Sequence, residues 1–178
     1  MQPEPQELPR DQEVQDLTAI HSHEPPAKLG GVLIFVAIGL ILSLVQNLGN
    51  FLGNLAPFRQ QQVWERLTTP DSIVYHPYWK PVLLFELVSS SIIFGLSVVA
   101  VALFFSKHRV FPKFIVITIP IIFVLIFLGY YLSGLIPAVA ESPHYSKQTS
   151  ALIVRFVALH VWIPYFLLSK RVKKTFVT

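Results

Sequence analysis

Two charged side chains stand inside long apolar stretches of this 178-residue chain: Glu86 within residues 81–105, and Arg155 within residues 148–169. An ionisable group in hydrocarbon is costly and is usually paired or functional. A planar guanidinium accepts a carboxylate through two parallel hydrogen bonds, so mutual pairing is the cheapest expected arrangement. Helical spacing adds polar neighbours, because residues three, four and seven apart share a face. Ser43, Gln46, Asn47, Asn50 and Asn54 form one such stripe, and Glu86, Ser89, Ser90 and Ser97 form another. The expected polar set is therefore Glu86, Arg155, Gln46, Asn47, Asn50, Ser89 and Ser90. It reads either as a buried clasp between two helices or as a pocket for a polar ligand. A proton path fits less well, since a lone carboxylate has no relay beside it.

Other chemistry has little to stand on. Without cysteine there is no disulfide, thiolate metal site or nucleophilic thiol. No paired-carboxylate site, Gly-rich phosphate loop or HExxH motif occurs. His21, His23 and Glu24 lie together, but on a polar tail where a solvated segment is the simpler reading. The expectation is a protein with no catalytic residues, metal or cofactor, and no enzymatic activity.

The elements that position the two charges are four apolar runs, 29–51, 81–105, 114–140 and 148–169. A helix needs about 20 apolar residues to cross a hydrocarbon core of roughly 30 Å, and each run meets that length. The expected fold class is an all-α membrane protein, four transmembrane helices in a small bundle, occupying residues 29–178. Pro120 and Pro164 interrupt two runs and should disturb the carbonyls of Val116 and His160. The small-residue pairs Gly39/Ser43, Gly49/Gly53, Ser91/Gly95 and Gly129/Ser133 suggest places of close helix approach. Ser91 and Gly95 face away from Glu86 and suit contact with a partner or a second copy.

The basic residues set an orientation. Nine Lys and Arg lie before the first run, between the second and third, and after the fourth; four lie in the other two loops. Excess Lys and Arg stays cytoplasmic, so both termini are expected there. Their clustering beside helix ends also explains the net charge of +4 by topology and anionic lipid, and nucleic acid is not expected as a partner. Residues 1–28 are polar and acidic and read as a disordered cytoplasmic tail. The first apolar run is too long for a signal-peptide core and reads as a retained helix. In the first outward loop, residues 58–67 suit a short interfacial helix. Trp64, Tyr75, His76, Tyr78 and Trp79 read as an interfacial aromatic cluster, with a ligand-binding lid as the alternative.

Several local patterns also match a known family. These are Gly30-Gly31, Trp64 with Leu67, Tyr75-His76-Pro77-Tyr78-Trp79, Phe85-Glu86, Phe104-Phe105 with Arg109 and Phe111-Pro112, and Arg155. The most specific runs from Trp162 through Pro164, Tyr165, Lys170, Arg171 and Lys173 to Thr175-Phe176. From about residue 29 onward the chain resembles the YdgK-like bacterial inner-membrane proteins, domain of unknown function 2569. The resemblance implies a small four-helix inner-membrane protein and no assigned activity. Two functions are then expected: an accessory or scaffold subunit binding a larger membrane complex, or a small transporter or receptor with an outward polar pocket around Glu86 and Arg155. The first is favoured by small size and the lack of internal repeats.

Overall fold

The computed structural model describes residues 31–169 together with Val172, Thr175 and Phe176. The expected tail, residues 1–28, and the motif residues Lys170, Arg171 and Lys173 lie outside the described residues. The elements in chain order are α1 (Val32–Arg59), α2 (Gln61–Thr68), α3 (Trp79–Phe105), α4 (Phe111–Ser133), α5 (Pro137–Ala140) and α6 (Pro143–Leu168). Helices α1, α3, α4 and α6 are long and apolar enough to cross a membrane. Their outward faces stay apolar: Leu42 is 65% exposed, Ile153 61% and Val161 62%. Surfaces of that kind are stable against lipid, where every backbone polar group must be satisfied within the helix.

The four long helices pack in series, α1 on α3, α3 on α4 and α4 on α6. The ends of the series, α1 and α6, have few contacts with each other, so a groove runs between them. The core sits at the end of the bundle where α1 begins and α6 finishes. There Leu33, Phe104, Phe111, Phe166, Val172 and Phe176 form one cluster. Phe176 stacks on Phe111 at 4.7 Å and leans on Phe104 at 5.6 Å. The segment after α6 thus folds back and closes this end. Lipid is as apolar as Leu, so side-chain packing rather than escape from water holds such a cluster together.

The helix limits differ from the sequence expectation for local reasons. α1 continues past residue 51 to Arg59 through Pro57, because its last turns have partners outside the hydrocarbon: Phe58 lies 4.9 Å from Trp64 of α2. The third spanning helix stops at Ser133, short of residue 140. Pro137 disfavours the helical region for its predecessor, and Ile136 is extended at φ −98°, ψ 111°. The fourth begins at Pro143 rather than 148. Ser142 caps it by accepting the Tyr145 amide at 3.3 Å, and Pro143 fills the first helical position. The short outer helix is Gln61–Thr68, close to the expected 58–67. The chain stays helical through Pro120 and Pro164.

The small residues act differently from expectation. A Cβ at Gly39, Gly49, Gly53 or Gly95 would meet nothing within 4 Å, so these positions are not close helix contacts in this chain. Gly129, 3.6 Å from the Phe85 ring, and Gly134, against Tyr145, do face a neighbour, and open space at Gly95 agrees with a face turned away from Glu86.

Candidate functional site

A cavity of about 380 Å³ fills the groove between α1 and α6. Its walls come from all four long helices, with α3 and α4 forming the floor. At one end stand Phe35, Val36, Ile115 and Trp162. Val36, Ala100 and Ile115 belong to both the cavity and the aromatic cluster, so that cluster closes this end. Towards the other end the walls turn polar. On α1, Phe35 and Leu40 give way to Ser43, Gln46 and Asn47; on α6, Trp162 and Leu159 give way to Arg155. The two helices are antiparallel, yet both change in the same spatial direction. Arg155 is an exposed residue of the groove wall, and no Asp or Glu lines the cavity.

One interhelical bond braces the polar end. Asn47 Nδ2 donates to Ser97 Oγ at 2.6 Å, and Ser97 passes its own proton to the Ile93 carbonyl at 2.7 Å. Such a bond within a membrane averages about 0.6 kcal/mol. Higher on the same helix pair, Asn54 Nδ2 donates to the Glu86 carbonyl at 3.3 Å. The Glu86 carbonyl lies in the body of α3, where it also serves the helix, so Asn54 adds a second donor to it.

The expected Glu86–Arg155 clasp is not formed. No ion pair within 4.0 Å joins the two residues, and Glu86 is absent from the cavity wall. The contacts along the bundle explain why. Asn54 places Glu86 seven residues of α1, roughly 10 Å, from the level of Asn47, which lines the cavity with Arg155. Helices α3 and α6 both pack on α4 and have few contacts with each other. The other expected polar residues divide likewise. Gln46 and Asn47 join Arg155 at the cavity. Asn50 is exposed and outside it, whereas Ser89 and Ser90 are buried in α3 away from it.

A second polar cluster, of which the sequence pointed to Tyr130 but not to Tyr145 or Thr149, ties α4 to α6. The Tyr130 and Tyr145 rings stack at 4.3 Å and 10°. Tyr130 and Thr149 hydroxyls share a hydrogen bond of 2.8 Å, and Tyr145 Oη donates to the Tyr130 carbonyl at 3.4 Å. The available signal was Ser142-Pro143, a helix-start pair that brings Tyr145 and Thr149 into the helix. Thr118 of the cavity floor was also missed, since a lone Thr in an apolar run carries no pattern.

The aromatic residues of the outer loop form separate small contacts. Trp64 packs on Phe58, His76 lies 5.3 Å from Tyr78, and Trp79 Nε1 donates to the Val74 carbonyl at 3.0 Å. Tyr75 is exposed. Of the C-terminal motif, Trp162 lines the cavity and packs edge-on to Tyr165 at 5.8 Å, while Pro164 is exposed on α6. His160 is exposed, its Nδ1 donating to the Phe156 carbonyl at 2.9 Å.

A family model described as protein of unknown function (DUF2569) matches residues 26–177. No curated protein and no solved structure matches the chain.

Proposed function

The chain belongs to the DUF2569 family, whose description assigns no activity, and we propose that it is a small, non-enzymatic membrane protein that holds a membrane-soluble ligand in the α1–α6 groove. The observation that carries this reading is the amphipathic cavity with Arg155 on its wall. A volume of about 380 Å³ lies in the range of ligand sites, roughly 300–1,000 Å³. Of the two functions expected from the sequence, a receptor or carrier is therefore favoured over a scaffold. Its pocket is built around Arg155, Gln46 and Asn47, without Glu86. The family resemblance favours a bacterial inner-membrane location, and the basic-residue count supports an orientation with both termini cytoplasmic.

Native mass spectrometry of the detergent-purified protein tests the reading. A Leu side chain at position 39 projects from a cavity-lining position where an added Cβ meets nothing, so Gly39→Leu should block the groove without a clash. The expected result is a bound small molecule on the wild type that is missing from Gly39→Leu. A stoichiometric membrane protein in place of the small molecule, or a small molecule indifferent to Gly39→Leu, would return the balance to a scaffold.

A further inference from the structure

We propose that the groove takes a single-chain amphiphile with a carboxylate head, the head at Arg155 and the chain running towards Phe35 and Trp162. This rests on the reading of the groove as a ligand site. Its shape gives the first argument. From Asn47 to Phe35 the wall is twelve residues of α1, about 18 Å long at 1.5 Å per residue. One leaflet's share of a 30 Å hydrocarbon core is about 15 Å, so the groove has the length of one lipid tail. One extended hydrocarbon chain matches that length.

The wall chemistry gives the second argument. The chain end would meet Phe35, Leu40, Ile119 and Trp162, which need no polar partner. The head end offers one guanidinium, with the Gln46 amide and Ser43 hydroxyl on the facing helix. No carboxylate among the described residues pairs with Arg155, and a cation at that depth requires a counter-charge. A carboxylate supplies one negative charge and accepts both guanidinium N–H bonds in parallel. A phosphomonoester carries about −1.5 to −2, leaving excess negative charge in a low-dielectric site with one cation.

The probe is hexadecanoic acid brominated at its terminal carbon, added to the protein in zwitterionic nanodiscs. With Trp64→Phe and Trp79→Phe, the fluorescence of Trp162 alone reports bromine at the deep end of the groove. Saturable quenching is expected, competed by unlabelled acid, and weaker for the equally long brominated alcohol by about tenfold to a hundredfold, the worth of hydrogen bonds to a charged group. Arg155→Gln should weaken the acid by a similar factor and leave the alcohol unchanged. Gly39→Leu should abolish both. The acid-against-alcohol comparison needs no variant at Arg155, so it decides even if Arg155→Gln folds poorly. Equal binding of acid and alcohol, or tighter binding of the equivalent alkyl phosphate, overturns the carboxylate while the groove reading stands. Quenching that persists in Gly39→Leu overturns the groove itself.

Discussion

Replacing Gly134 by Ala should destabilise this protein, and the sign should reverse when Tyr145 is removed. Gly134 follows α4 at φ −66°, ψ −15°, a conformation Ala adopts freely. Its obstacle is steric. An added Cβ would overlap the Tyr145 hydroxyl and lie 2.8 Å from its Cζ. Tyr145 cannot retreat without leaving its stack on Tyr130 and its bond to the Tyr130 carbonyl. The stack is worth about 0.5–1.5 kcal/mol and the bond about 1 kcal/mol. Gly134→Ala should therefore cost about 1–3 kcal/mol, the usual range for overpacking. In a Tyr145→Ala background the obstacle is gone, and the lower entropy of the unfolded Ala chain should instead stabilise by about 0.4–1 kcal/mol. Reversible unfolding of the detergent-solubilised protein in a denaturing detergent, followed by tryptophan fluorescence, measures both differences. A neutral Gly134→Ala in the native background, or an equal loss in both backgrounds, would refute the α4–α6 packing argued from these residues.

Phe176→Ala should cost about 3 kcal/mol or more in the same assay, since it removes ring contacts to both Phe104 and Phe111; no loss would mean that the segment after α6 does not close the core. Asn47→Ala and Ser97→Ala should be coupled by about 0.6 kcal/mol in a double-mutant cycle, as expected of one bond across α1 and α3. By contrast, Glu86→Gln and Arg155→Gln should add within about 0.3–0.5 kcal/mol, and a larger coupling would restore the ion pair. A reporter fused at the C-terminus should be active only on the cytoplasmic side, and one fused after Tyr75 only outside; the opposite pattern would overturn the orientation taken from the basic residues.

The four spanning helices were legible because nothing but length and hydropathy is required of them. Their ends were less so, because polar residues extend a helix beyond the hydrocarbon when they find caps or partners. Ser142 and Pro143 start α6 five residues early, and Phe58 on Trp64 keeps α1 helical to Arg59. Those shifts matter more for the site than for the fold. Helical periodicity correctly grouped Gln46 and Asn47 on one face, and it set Ser97 on the α3 face that meets Asn47. It had no means of ranking helix neighbours, and the series α1–α3–α4–α6 is what leaves a groove between α1 and α6. The return of Val172 and Phe176 into the core was visible only as an i, i+4 apolar pair among lysines, a pattern too short to separate from chance.

The separation of Glu86 from Arg155 gives the two charges different requirements. Glu86 is about 10 Å along α3 from Trp79 by helical rise. Asn54 lies at that level, and Glu86 is half-buried there. Arg155 is twelve residues into α6 but only about 10 Å beyond residue 148, where the apolar run begins. Its side chain opens onto a cavity whose polar groups are neutral. A guanidinium does not lose its proton in proteins, so Arg155, exposed on the groove wall, stays charged where a carboxylate or an amine could become neutral. A counter-charge therefore has to reach it. In a bundle whose clasp is geometrically denied, the groove is the one described route by which that charge reaches Arg155 from the bilayer. The residue that looked like half of a structural pair is, on these grounds, the part of the chain most dependent on something outside it.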